Sequence, residues 1–595
     1  MYIIGVSCFY HESAACLIKD GKVIAASAEE RFSRKKHDSE FPSLAIDFCL
    51  KTAGIKIKDV DYVVFYEKPY WKFHRVLMST LASYPRAPRL FAKGMVNFLS
   101  DKLWVKSIIS DKLKISPNKI LFVPHHISHA ASAFYPSGFD KAAIITLDGV
   151  GEWTTTTLGV GNDKKITISK EIKFPHSLGL LYSVFTAFLG FEVNDGEYKV
   201  MGMAPYGEPK YLEKVKKLVK IFPDGSYALN MEYFTFHKSA TASYGSKFKK
   251  LFGKPRPRDM YFFTKKSGYP SYFGEKPKNY EELCRLNQHY ADIAASIQKF
   301  TEEQILKLAE VLHKETKMEN LCIAGGVGLN SVANGELLRR GPFKRVFVQP
   351  AAGDDGGALG AALFVYHAIL GKKRKFVQDN CYFGIEYTKE EIEKFLRKNK
   401  IKFKKITTEK KLVDTLAQAL AEEKVIGFFH GRAEWGPRAL GSRSIMASPR
   451  SNEMKEIVNT KIKFREPYRP FAPVTLEEKI GDYFDVGKLE HKDLTRFMLG
   501  VFPVKKTMRK IIPAVTHVDG SGRVQIISRK QNSRYYDLIK AFGKKTKVYV
   551  LMNTSFNLKG EPVVNSPENA FNTFKASGLD ILALENYLVF KEDIS

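Results

Sequence analysis

The segment PHHISHAASAF places three histidines in five residues, with His125 and His129 four apart. On a helix both imidazoles then share one face and can hold one cation, and His126 is a third histidine beside them. Ile127 and Ser128 fill the middle of the pattern, so the Glu that a zinc protease needs as general base in H-E-x-x-H is missing. Carboxylates that could complete a site stand at strand ends: Asp148 in TLDGVGEW, and Asp354 or Asp355 in PAAGDDGGALGAA. Two histidines and two carboxylates suit Fe, Mn or Zn and leave room for a substrate oxygen.

A second constellation is basic. FFHGRAEWGPRALGSRSIMASPR (428–450) and NTKIKFREPYRPFAP (459–473) carry Arg432, Arg438, Arg443, Lys463, Arg465 and Arg469, which Glu434 and Glu466 cannot all neutralise. Guanidinium forks donate paired hydrogen bonds to phosphate-type oxygens, so these loops read as a nucleotide or carboxyphosphate site. Downstream, His517, Asp519, Arg523, Asn553, Ser555 and Asn557 add short donors and acceptors fit for ribose, base or phosphate.

Smaller signals flank these two. His11 and Glu12 directly follow the first predicted strand, where polar residues usually face a cleft, and EERFSRKKHD adds Arg31, Lys36 and His37. NDGEYKVMGMAPYGEP contributes Glu197 and Lys199 as possible substrate contacts. In IAGGVGLN, Gly325, Gly326 and Gly328 follow a strand, where bare amides could meet phosphate, although the turn is neither a Walker A loop nor a complete dinucleotide fingerprint.

The elements that must carry these groups repeat. YIIGVSC opens a strand and hairpin run, and AAIITLDG, TTTTLGVG and KKITISKEI form a similar run later, followed by a helical stretch near Leu178 to Phe191. The likeness of the two halves suggests an internal duplication. Tyr280 to Lys317 is predicted helical, and NLCIAGG and RVFVQP read as buried strands in βαβα order. The stretch Phe222 to Lys278 has no clean period and reads as a long excursion, a lid or substrate loop. A charge-rich break, GKKRKFV, sets the predicted boundary between domains 1–373 and 374–595.

With 94 Lys and Arg against 64 Asp and Glu, the 595-residue chain has a formal net charge of +30, which asks for an anionic partner or a solubilising Lys-rich surface. No aromatic and basic alternation of a single-strand-binding module is present, which disfavours nucleic acid. Six scattered cysteines without a C-x-x-C pair fit reduced thiols and a cytoplasmic setting. The most apolar stretch, Ala358 to Leu370, is too short to span a bilayer. A homodimer is the default expectation for the assembly.

Taken in order, FYHESAACL, EERFSRKKHD, HHISHAASAF, IAGGVGLN, GRAEWGPRALGSRSI and NTSFN resemble the O-carbamoyltransferase family that includes NodU, TobZ and the cephalosporin-carbamoylating enzymes. The resemblance covers nearly the whole chain. It implies an α/β protein with an N-terminal duplicated actin/hexokinase-like domain and a C-terminal YrdC-like α/β domain. The implied activity is ATP-dependent: the second domain makes carbamoyladenylate from ATP and carbamoyl phosphate, and the first transfers the carbamoyl group to a hydroxyl of a small-molecule acceptor. By motif, His125, His129, Asp148 and Asp354 correspond to the iron-binding positions, with another divalent metal as alternative and Mg2+ as a further candidate. Asp354 is chosen over Asp355 because D-x-G before a helix is the family's arrangement. Arg438, Lys463, Arg469, Asn553 and Ser555 are implied to line the adenylate site, and His11 and Lys36 match the transfer site. A tRNA threonylcarbamoyl transferase and a non-catalytic nucleotide-binding assembly protein are the competing expectations.

Overall fold

The computed structural model describes residues 1–82, 103–239, 241–487 and 492–594. They form two compact units. The first comprises Met1–Glu29, His37–Thr264 and Glu281–Gln378, and the second Glu30–Lys36, Lys265–Tyr280 and Asp379–Ser595. The division falls five residues beyond the expected 373/374 boundary, and two short pieces from earlier in the chain cluster with the second unit. Arg31 and Arg34 show why the first piece does so: Arg31 donates to the Gly436 carbonyl at 3.0 Å, and Arg34 to those of Val563 at 2.7 Å and Pro562 at 2.8 Å.

The first unit is built twice from one plan. In the first half, β1 (Tyr2–Ser7), β2 (Ala14–Lys19), β3 (Lys22–Ala28), β4 (Tyr62–Phe65) and β5 (Ile120–Phe122) form a sheet in the order β3-β2-β1-β4-β5. In the second half, β6 (Lys141–Leu147), β7 (Thr154–Asn162), β8 (Lys165–Lys173), β11 (Asn320–Ala324) and β12 (Arg345–Val348) take the order β12-β11-β6-β7-β8. Between β8 and β11 in sequence lie the short hairpin strands β9 (Val219–Ile221) and β10 (Tyr227–Leu229). Each five-stranded sheet pairs its first three strands antiparallel and adds its last two parallel. Identical strand order and polarity establish the duplication as an actin/hexokinase-like fold, because two unrelated sheets have no reason to share both.

The parallel strands are continuous apolar runs, as strands covered on both faces must be: Ile144, Ile145, Leu321, Ile323 and Val348 are all buried. Covering them are the His125–Phe134 and Asp354–Phe364 helices, both buried along most of their length. Gly360 sets how closely these helices approach, since a Cβ there would lie 1.8 Å from the Ser128 carbonyl oxygen. The glycine-rich run GGALGAA thus draws the Asp354 end of one helix toward the histidines of the other.

The expected excursion from Phe222 is largely packed. Phe248 and Phe252 stack edge-on against Phe185 and Phe188 of the Leu178–Phe188 helix, and Phe234, Phe262 and Phe263 are buried. Phenylalanine without a period was filling a satellite core, so 222–264 is not an open lid. The Tyr280–Thr316 helix lies where its pattern predicted it.

In the second unit, β13 (Lys404–Lys405), β14 (Ile426–Phe429), β15 (Arg443–Ala447), β16 (Ala472–Leu476), β19 (Gln525–Ile527), β20 (Val550–Ser555), β21 (Ile581–Leu584) and β22 (Tyr587–Phe590) form one mixed sheet. Its order is β13-β22-β21-β14-β15-β20-β16-β19, and a separate ribbon pairs β17 (Val501–Pro503) with β18 (Ser521–Arg523). All six cysteines are buried free thiols. Among the described residues no helix is long and apolar enough to cross a membrane.

Candidate active site

In the first unit, His125, His129, Asp148 and Asp354 each turn one ligand atom to a common point, all four atoms lying within 4.8 Å of one another. The two Nε2 atoms are 3.0 Å apart. His125 Nε2 lies 3.3 Å from Asp148 Oδ2, and both Nε2 atoms lie 3.7 Å from Asp354 Oδ1. Two imidazoles on one ion, each bonded at about 2.0–2.1 Å, have their nitrogens about 2.9–3.4 Å apart, so the donor set fits a single divalent cation.

Each carboxylate divides its oxygens between the imidazoles and an outer partner. Asp148 Oδ1 accepts the Gly326 amide at 3.0 Å, and Asp354 Oδ2 accepts the Tyr66 hydroxyl at 3.3 Å. Such outer contacts fix the orientation of metal ligands. Burial pushes the Asp354 carboxyl up, whereas Asp148 is held well below the usual range because its hydrogen bond to His125 and the surrounding imidazoles outweigh burial. Two adjacent carboxylates split in this way when one site cannot carry both charges freely.

The glycine turn therefore serves the quartet. Gly325 has φ +93°, and a Cβ there would lie 2.2 Å from the Leu147 carbonyl oxygen. The Gly325 amide donates to Ala352 and the Gly328 amide to Gly325; with Gly326 given to Asp148, the three glycine amides are all used within the protein. Asp355 bonds the amide of Gly356 at 2.9 Å, at the start of its own helix. His126 faces away, with Nδ1 2.6 Å from the Thr146 hydroxyl and Nε2 donating to the Thr154 carbonyl at 2.8 Å. Glu152 accepts the His125 and Lys68 amides at 2.9 and 2.8 Å, seating the first turn of the histidine helix.

In the second unit, several cations gather around Arg523. Arg523 stands in the fields of Arg438, Arg465 and Arg469, and burial together with these like charges holds its guanidinium well below the ordinary arginine range. Its Nε is buried with no hydrogen-bond partner. Lys463 is pulled down by burial and then by Arg465 and Arg469. Its Nζ donates to the carbonyls of Ser555 and Asn557, both at 2.8 Å, and to Asn557 Oδ1. The nearby carboxylates are Glu466, 3.4 Å from Arg469, and Glu561. Like charges brought together repel, so this arrangement favours an anion among them.

Residues 2–363 match the family described as Carbamoyltransferase N-terminus, and residues 417–591 that described as Carbamoyltransferase C-terminus. The chain belongs to the carbamoyltransferase family. It is similar to an uncharacterized protein of Synechocystis sp., with 45% identity over 99% of this chain and 97% of that one. It is also similar to nodulation protein NolNO of Sinorhizobium fredii, 34% identical over 99% of this chain and 80% of the relative. NolO of Bradyrhizobium diazoefficiens is 35% identical over 79% of each. Among solved structures, component A of (R)-2-hydroxyglutaryl-CoA dehydratase from Acidaminococcus fermentans aligns at 15% identity and TM-score 0.32, over 62% of this chain and 98% of that one. HypF of T. kodakarensis aligns at 15% identity and TM-score 0.30, over 62% and 48%. The fold assignment rests on the strand order, and the family on the sequence matches.

Within this carbamoyltransferase, the remaining expected site residues separate. His11 stays in the first unit near the quartet, where burial lowers its pKa against the opposing charges of Glu12 and Asp148; its Nδ1 is 3.5 Å from the Asn194 amide nitrogen. Lys36 was grouped with His11, but it clusters with the second unit and its charge acts on Lys463. His37 lies 3.1 Å from Asp195 and 3.4 Å from Glu12. Glu197 accepts from the Ser183 hydroxyl at 2.9 Å and the Asn194 amide at 3.1 Å, which closes its own loop onto a helix. Lys199 lies over the Phe191 ring.

Two arginines of the signature carry structure. Arg443, fully buried, donates from Nη1 to the carbonyls of His430, Gly431 and Ser442 and from Nη2 to that of Ile385, all at 3.1 Å, with its guanidinium 3.5 Å from the Phe429 ring centre. Burial lowers its pKa to about 10. Arg432 binds the carbonyls of Gly384 at 3.1 Å and Phe383 at 2.6 Å. Forks spent on carbonyls are not offered to phosphate, so both leave the proposed anion site. Asn553 ties the Ala439 carbonyl to Gln525, and Ser555 donates to Asn557 at 2.8 Å.

Sequence reasoning passed over Tyr66, Glu67, Lys72 and Glu152. Lys72 and Glu67 form a buried ion pair at 2.7 Å, and Glu67 lies 3.9 Å from His125 Nδ1. Their signal was present: Tyr66 and Glu67 directly follow β4, a strand end in the same position as His11 after β1.

Proposed function

We propose that this carbamoyltransferase forms carbamoyladenylate in its second unit and transfers the carbamoyl group to a hydroxyl of a small-molecule acceptor at the quartet of its first unit. In the first reaction carbamoyl phosphate supplies the carbamate and ATP the adenylyl group; phosphate and pyrophosphate leave, with one water consumed. In the second the acceptor oxygen takes the carbonyl carbon and AMP leaves.

The observation that carries this reading is the Arg523 cluster. Arg438, Arg465 and Arg469 around a half-buried Arg523, with Lys463 adjacent, form a preorganised field for the charge of ATP and carbamoyl phosphate. Lys463 spends its donors on Ser555 and Asn557, so it contributes charge to this field rather than a hydrogen bond. Here we read the unit as YrdC-like, in line with the family resemblance.

At the transfer site, His125, His129, Asp148 and Asp354 would hold iron(II) or another divalent ion, whose Lewis acidity polarises a carbonyl or phosphate oxygen when bound. Burial keeps His11 neutral near pH 7, so its imidazole is in the form that accepts the acceptor's proton. Carbamoyladenylate is a mixed anhydride that water destroys, which favours making and using it within one chain. Pyrophosphate exchange into ATP that depends on carbamoyl phosphate tests the reading; exchange without that dependence contradicts it.

A further inference from the structure

The Pro69–Leu81 helix is inverted. Its buried side chains are Lys72, Arg75 and Thr80, while Tyr70, Trp71, Met78 and Leu81 are exposed. A helix that turns two cations inward and aromatics outward forfeits hydrophobic burial and bears the desolvation of charge. For Lys72 the reason is visible: its Nζ donates to Glu67 at 2.7 Å and lies 4.0 Å from the centre of the Tyr10 ring. Arg75 has no such partner. It is 8% exposed, its Nε is buried without a hydrogen-bond partner, and it makes no hydrogen bond or ion pair among the described residues. Its contact is with the Phe174 ring, 5.2 Å from the guanidinium carbon.

Lys72, one helical turn earlier on the same buried face, ties this face to the quartet: its partner Glu67 at 2.7 Å lies 3.9 Å from His125 Nδ1. The charge of Arg75 acts on Tyr10, Glu67 and Glu152. Tyr10 in turn stands in the fields of Asp354 and Asp148, and Glu152 holds the His125 amide. Phe174 is tied by its amide to the Trp153 carbonyl at 2.8 Å, next to Glu152. Arg75 is thus a buried five-donor fork on the wall of the site, and nothing in the described protein takes its hydrogen bonds.

We propose that Arg75 is the oxyanion receiver of the transfer site, taking a phosphate group carried by one of the two substrates that meet at the quartet. The assignment rests on reading the quartet as the transfer site. The phosphate belongs either to the departing adenylate or to a phosphorylated acceptor; the fork recognises the same oxygens in both. In either case Arg75 anchors the substrate at a point beside the reacting atoms and so orients the carbonyl carbon and the hydroxyl toward each other.

The test is equilibrium binding to the full-length protein by calorimetric titration, with inorganic phosphate and with AMP as probes. An Arg523→Met background weakens the second unit's own anion site equally in every arm. Arg75→Met weakens phosphate binding by about tenfold or more, the worth of a charge-assisted pair of hydrogen bonds. If AMP binding falls as well, the phosphate is that of the donor; if only inorganic phosphate binding falls, it is that of the acceptor. Unchanged affinity for both probes overturns the proposal. Should Arg75→Met fail to fold, Arg75→Lys keeps the charge but not the fork, and it too must lose affinity, with wild-type affinity again overturning the assignment. The titration reads binding without turnover. Its failure therefore removes Arg75 alone, whereas absence of carbamoyl-phosphate-dependent pyrophosphate exchange removes the reading of the second unit.

Discussion

The Nε2 atoms of His125 and His129 face each other at 3.0 Å with the side-chain oxygens of Asp148 and Asp354 beside them. Both Nδ1 atoms are buried without hydrogen-bond partners, so the imidazoles are held by packing and by whatever binds at Nε2. The full-length protein is expected to carry about one divalent ion per chain, as four such ligands can hold. His129→Ala and Asp354→Ala are expected to lose it in elemental analysis. Gly325→Ala is a subtler test: its Cβ would collide with the Leu147 carbonyl next to Asp148, and displacing a ligand's support lowers metal affinity by about 10–100-fold. Retention of the ion at wild-type affinity by all three variants would show that the quartet is not a metal site.

Arg523 gives a prediction with two opposite signs. A half-buried guanidinium in the field of three others is destabilising without an anion, so Arg523→Met is expected to raise the thermal midpoint of the free protein. The same change is expected to reduce carbamoyl-phosphate-dependent pyrophosphate exchange by about 100-fold or more. Lower stability together with intact exchange would mean that the cluster is structural.

His11 determines a pH limb. Burial lowers its pKa from the ordinary 6.5, so the proton-accepting neutral form prevails at pH 7 and is lost only in more acid solution. Transfer from preformed carbamoyladenylate is therefore expected to be flat around neutrality and to fall at a pH below 6.5, and His11→Ala is expected to slow it by about 100-fold. Full transfer activity in His11→Ala places the base elsewhere.

Glu585 is a stability prediction. Burial alone would raise its pKa; the His430 hydrogen bond at 2.9 Å, the charges of His430 and Arg534 and the Gly431 amide outweigh it and hold the carboxyl down to about 2. A depressed folded-state pKa gives stability that is full above the unfolded-state value and is lost as pH falls through the folded one. Glu585→Gln is expected to lower stability near neutral pH by up to about 3 kcal/mol. That deficit narrows as pH falls from about 4.5 to about 2. Urea denaturation at several pH values measures it, and a deficit that does not change with pH refutes the assignment.

How much of this was legible in the sequence depends on what each signal encodes. The His125/His129 spacing and the strand-end position of Asp148 express local geometry, which a sequence states directly, and the structure brings these residues together with Asp354. Repeated strands likewise announced the duplication, since strand order follows from chain order once the two halves match. Arginine roles were not legible. Arg443 and Arg523 look alike in sequence, yet one clamps four carbonyls and the other faces only like charges. The same five donors serve either end, and burial partners are set by tertiary packing. Lys36, which the family resemblance places with His11, clusters with the second unit, and the chain changes unit between Lys36 and His37. The +30 charge of the whole chain is explained only in part by the second unit's cluster.

The most direct test of the account is rapid-quench mass spectrometry of the full-length protein mixed with ATP and carbamoyl phosphate. The expected result is an adenylate heavier than AMP by one carbamoyl group, formed only when both substrates are present and absent in Arg523→Met. Cleavage of ATP that proceeds equally without carbamoyl phosphate, with no carbamoyladenylate at any time, would contradict the central claim.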